Sequence, residues 1–128
     1  MNMNPEKAII LLIIGAFSVT SLNLLTAPSN PITREEEAVE ISRKADLVRD
    51  GIVKSSRFSF GATYHNSSWV EWMKKGHSKE MYMNVPNGHG IWQVTWTFWF
   101  SVGGYTVIVI VDAETRTIAH ETPGVRFG

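Results

Sequence analysis

Hydrophobic positions follow three rhythms along this chain. The first is unbroken: Ala8–Leu25 reads AIILLIIGAFSVTSLNLL, eighteen residues without a charge. A spanning helix needs about 20 apolar residues, so this run is near the minimum length. It reads as a transmembrane signal-anchor, with a short tail over 1–7 before it and a linker over 26–32 after it. Pro28 and Pro31 give that linker modest stiffness. The competing reading is a cleaved secretory signal, but Leu25-Thr26-Ala27 fits the small-residue cleavage pattern poorly. Lys7 precedes the run, while Arg34, Arg43 and Lys44 follow it. That count alone would keep the carboxyl side in the cytoplasm. A long carboxyl-terminal domain crosses largely regardless of charge, however, so the expected orientation puts the domain outside.

The second rhythm is helical. Ala38, Ile41, Ala45 and Val48 recur at spacings of three and four, which predicts an amphipathic helix over Arg34–Asp50. Thr33 and Glu36 stand in the capping-box arrangement at its start, and Gly51 is the natural stop. Glu35, Glu36 and Glu37 place negative charge at the positive end of the helix dipole.

From residue 57 the period falls to two. Phe58, Phe60, Ala62 and Tyr64 alternate with small polar residues, as a half-buried strand would. The segment Trp69–Lys75 fits helix or strand, and Met81–Val85 reads as a short strand. Pro86–Gly90 is a strong turn signal. A long strand follows, with Trp92, Val94, Trp96, Phe98 and Phe100 on one face and Trp99 on the other. Tyr105–Val111 is apolar on both faces, hence central, and Thr117–Glu121 forms a last strand before an irregular tail. The fold class is therefore α+β: an N-terminal transmembrane helix, then one amphipathic helix packed on an antiparallel β-sheet over 33–128.

Composition narrows the function. Twelve Lys and Arg balance twelve Asp and Glu, which gives no reason to expect a nucleic-acid partner. There is no cysteine, hence no disulfide, thiol nucleophile or thiolate metal site. The histidines His65, His77, His89 and His120 could ligate a metal with Glu71, Glu80 or Asp112. None has the H-E-x-x-H spacing, and His77 with His89 is the least unfavourable pair. No catalytic residue, metal ligand or cofactor is expected.

The tryptophans say more, since all five lie between Trp69 and Trp99. Trp92 and Trp96 belong to the core face. Trp69, Trp72 and Trp99 are left as candidate partner-binding residues, because exposed aromatics dominate binding hot spots.

Three local patterns resemble PepSY domains. Thr33-Arg34-Glu35-Glu36-Glu37-Ala38-Val39-Glu40-Ile41 is similar to the family's helix opening, and Trp92-Gln93-Val94 to its W-x-V strand. Val109-Ile110-Val111-Asp112-Ala113-Glu114-Thr115 is similar to its closing hairpin. Positions 52–90 would be an insertion; Ser42 replaces a common Ala, and Arg116 stands where the family normally has Gly. The resemblance implies a small extracytoplasmic module, without catalytic residues, that binds or inhibits peptidases or serves protein interaction. Ala38, Ile41, Trp92, Val94, Val111 and Asp112 would be architectural. Two functions thus stand side by side. One is a membrane-tethered binding module, held in lipid by Ala8–Leu25 and recruiting a protein or peptide, a peptidase among the candidates. The other is a small histidine-based metal-binding protein or metal-dependent enzyme.

Overall fold

The computed structural model describes Pro31–Gly128, apart from position 77. Its elements are α1 (Glu35–Ser42), α2 (Asp46–Lys54), β1 (Arg57–His65), α3 (Ser67–Lys74), α4 (Lys79–Tyr82), β2 (Ile91–Trp99), β3 (Gly104–Asp112) and β4 (Thr117–Phe127). The anchor segment Ala8–Leu25 lies outside the described residues. Among the described residues no helix is long and apolar enough to cross a membrane.

The four strands form one antiparallel sheet in the order β1-β2-β3-β4, each pairing with its neighbour in sequence. The α+β class read from the hydrophobic periods holds, and the change to period two at residue 57 coincides with β1. Pairing of β1 with β2 runs through nine residues without a shift, from Arg57 opposite Trp99 to His65 opposite Ile91. Pairing of β3 with β4 is interrupted twice, between Tyr105 and Val107 and between Ile110 and Val111. The tail expected to be irregular is the second half of β4.

Helices lie on both faces of the sheet, which corrects the expectation of one helix on one face. On the first face α1 and α2 cover Trp92, Val94, Trp96, Phe98, Val107, Val109 and Val111, all buried. On the second face Val70 of α3, Tyr82 of α4 and Val85 close over Ile91 and Ile110. The segment Trp69–Lys75 is thus helical, and Met81–Val85 is a helix end and turn rather than a strand. Asn66 starts α3 by accepting a hydrogen bond from the Trp69 backbone N–H at 3.0 Å.

The expected helix over Arg34–Asp50 is two helices. Ser42 ends the first, and Ala45 is extended (ψ 138°) before Asp46 opens the second. Tertiary bonds hold the break. The Ser42 hydroxyl, fully buried, donates to the Val39 carbonyl at 2.7 Å and accepts the Trp96 indole N–H at 2.8 Å. Glu121, on β4, accepts the Leu47 backbone N–H at 2.9 Å and so satisfies one orphan donor of α2. The break shifts the buried face: Ala38, Ala45 and Val48 are buried as the periodicity indicates, Ile41 is half-buried, and Val39 and Ser42 join the core. The capping box at Thr33 and Glu36 does not form, since α1 begins after Arg34 without a side-chain cap. Gly51 is no stop either. It lies inside α2 where a Cβ would sit 2.5 Å from the Phe98 ring, so its role is close packing.

Candidate functional site

The three candidate tryptophans have three different environments. Trp69 is committed to structure. Its ring stacks on His65 at 3.6 Å between centroids and meets Tyr82 edge-on at 5.5 Å. Burial in this cluster pushes the Tyr82 phenol above its ordinary pKa and the His65 imidazole below its own. Trp99 does lie on the sheet face opposite Trp96, but it is half-buried and the Arg57 guanidinium sits 4.2 Å from its ring. A cation over the ring is a local contact already made.

Trp72 differs from both. It projects from the outer side of α3 and is 68% exposed. With Met73, Lys75, Gly76 and Ser78 it lines a surface pocket of about 590 Å³. An amphipathic ring at the rim of a pocket, with the exposed Lys75 beside it, can take an apolar side chain and a neighbouring carboxylate. Lys74 has turned inward instead, hydrogen-bonding the Val85 carbonyl and Asn87. It ties α3 to the loop before β2 and is not available as a surface cation.

The histidines are dispersed. His89 Nδ1 lies 2.9 Å from Asp112 Oδ2, and Asp112 also accepts the backbone N–H groups of Glu114 at 2.8 Å and Thr115 at 3.1 Å. That carboxylate, almost fully buried, builds the β3–β4 turn and binds His89 to it. His65 stacks on Trp69, and His120 lies on β4 opposite Ile110. Among the described residues no three metal-ligating side chains converge, and His77 lies outside them. The pairing of His77 with His89 therefore has no described counterpart.

One surface was not singled out in the sequence. Phe58, Phe60 and Tyr64 do share the helix-covered face with Trp96, Phe98 and Trp92, and their rings meet those residues at 4.8–6.2 Å. Yet β1 is the edge of the sheet, and α1 and α2 leave the three rings 37%, 47% and 48% exposed. The alternation of β1 was legible; its position at the edge was not.

These features define a class, an α+β module with a four-stranded meander flanked by helices on both faces, whose open surfaces are aromatic. No family model, curated protein or solved structure matches the chain.

Proposed function

We propose that this chain is a membrane-tethered, extracytoplasmic protein-binding module, akin to PepSY domains, with the α3 surface around Trp72 as its docking site. The observation that carries the reading is Trp72 itself. An α-helix whose opposite side supplies the fully buried Val70 to the second core leaves a large aromatic outside, over a pocket. Exposed aromatics of this kind are costly to leave in water and are the residues most enriched at binding hot spots. The apolar run Ala8–Leu25 supports the tether, and the helix opening and closing hairpin support the PepSY likeness, which makes an exported peptidase the first partner to test. The dispersal of His65, His89 and His120 gives the metal-binding alternative no comparable support.

The test places a photo-crosslinking amino acid at Met73 in the full-length protein, expressed in its own membranes, with Glu40 as an exposed control. Crosslinking of a protein adduct at Met73 and not at Glu40 is the expected result. Trp72→Ala should reduce that adduct at least tenfold, because a central aromatic contributes about 2 kcal/mol or more to an interface. The melting temperature should stay within a few degrees, since the side chain is mostly exposed. An adduct that survives Trp72→Ala undiminished would remove the site from consideration.

A further inference from the structure

The two edges of the sheet are built differently. The β4 edge is guarded. Its pairing to β3 carries two irregularities, Pro123 removes a donor, and Gly124 lies against the Thr106 hydroxyl. Bulges, prolines and kinks are the usual means by which a sheet edge is made unfit to pair with another chain. The β1 edge has none of these devices. It runs straight through nine residues, Arg57–His65, with no proline and no register shift. Four of its five first-face or central positions that touch solvent are aromatic or glycine: Phe58, Phe60, Gly61 and Tyr64. An edge strand of this kind, open on its outer side, is a template for one more strand.

The sequence of β1 indicates which strand. Gly61 stands at its centre, and the residues on either side are complementary about it. In an antiparallel pair of two β1 strands centred on Gly61, Phe58 faces Tyr64, Ser59 faces Thr63, and Phe60 faces Ala62. Arg57 then faces His65, so no two carboxylates or permanent cations are opposed. Aromatic meets aromatic at the ends, large meets small beside the axis, and hydroxyl meets hydroxyl on the other face. At the axis itself there is no side chain, and the space above Gly61 is open, with nothing within 4 Å of where a Cβ would stand.

We propose that β1 pairs with β1 of a second copy of this chain, antiparallel and centred on Gly61, to make a continuous eight-stranded sheet. All nine residues of each strand are used in this register, and the exposed portions of Phe58, Phe60 and Tyr64 are covered by the same residues of the partner. A nine-residue strand is roughly 30 Å long, so the contact is near the lower limit of about 1,000 Å² for a specific interface. The dimer is accordingly reversible. It uses a different element from the Trp72 surface and stands or falls independently of it.

The absence of cysteine in the chain makes the test direct. Full-length Gly61→Cys, oxidised with copper phenanthroline in mild detergent, should form a disulfide-linked dimer on a non-reducing gel, because position 61 meets itself across the axis. Ser59→Cys alone should crosslink at least fivefold less, since its two copies stand four residues apart along the strands. Ser59→Cys combined with Thr63→Cys should restore crosslinking. In the wild-type chain, Phe60→Lys should shift the mass measured by light scattering from dimer to monomer, with the far-ultraviolet circular dichroism unchanged. Three results overturn the proposal: a monomeric wild-type chain at tens of micromolar, equal crosslinking at positions 59 and 61, or a dimer that Phe60→Lys leaves intact. If Gly61→Cys fails to fold, the Ser59/Thr63 pair carries the same test at positions that already bear side chains.

Discussion

Replacing Arg116 by glycine and, separately, by alanine pulls apart two forces that act on one residue. Arg116 closes the β3–β4 turn, donating its backbone N–H to the Asp112 carbonyl at 2.9 Å, and adopts φ 62°, the left-handed region. For a residue with a Cβ that conformation costs about 1–2 kcal/mol, whereas glycine enters it freely. Against this cost, the Arg116 guanidinium pairs with Glu37 of α1 and links the turn to the first helix. The two side chains are 34% and 40% exposed, so the pair is discounted for solvent and contributes no more than about 1 kcal/mol. Alanine loses the pair and keeps the backbone cost. Glycine loses the pair and the backbone cost together, though its freer unfolded chain returns roughly 0.4–1 kcal/mol of that gain. Arg116→Gly should therefore melt above Arg116→Ala by about 0.5–1 kcal/mol. For a domain of about a hundred residues that is roughly 3–6 °C. Thermal unfolding followed by circular dichroism, at low salt and at about 1 M NaCl, separates the terms. The gap between wild type and Arg116→Ala should narrow as salt screens the ion pair, while the gap between alanine and glycine should not move. Equal melting of the two variants, or alanine above glycine, would refute the left-handed assignment. A salt-independent loss in Arg116→Ala would refute the ion pair.

Two further outcomes follow from the packing and the titrating groups. Gly51→Ala in α2 should lower stability by about 1–3 kcal/mol in denaturant titration, because the new methyl collides with Phe98; a helix free of that contact would gain roughly 1 kcal/mol from the same change. His65 has its pKa lowered by desolvation in the folded state, so the unfolded chain takes up a proton first. Stability should be complete above the ordinary imidazole value of about 6.5 and decline as pH falls below it. His65→Phe, which keeps the stack on Trp69, should flatten the urea midpoint between pH 7.5 and 5.5, and a pH profile unchanged from wild type would show that His65 does not titrate between the two states.

How much of this was legible in the sequence depends on how local each cause is. The strands β2 and β3 declare themselves through alternation and β-branched runs, because every residue there answers to the pleat and to a strand on either side. The same periodicity placed Trp96 inside and Trp99 on the opposite face. The break between α1 and α2 is different in kind. Nothing near Arg43 is a helix breaker; the interruption is fixed by Trp96, fifty-four residues away, through the Ser42 hydroxyl, and by Glu121 from the last strand. An alanine at position 42 could not accept the indole N–H. Trp69 and Trp72 illustrate the same limit at the candidate site. Three residues apart on one short helix, they differ because His65 and Tyr82 happen to enclose one ring and not the other. A residue's type and spacing identify the face it occupies, but what lies over that face is decided by elements distant in the chain. Phe58, Phe60 and Tyr64 carry this furthest. Their alternation is that of a core strand, and only the strand order, which leaves β1 without a neighbour on its outer side, turns a core pattern into an exposed aromatic edge. The self-complementarity of that edge about Gly61 was present in the sequence throughout, and acquires physical meaning once the strand is known to lie at the sheet edge.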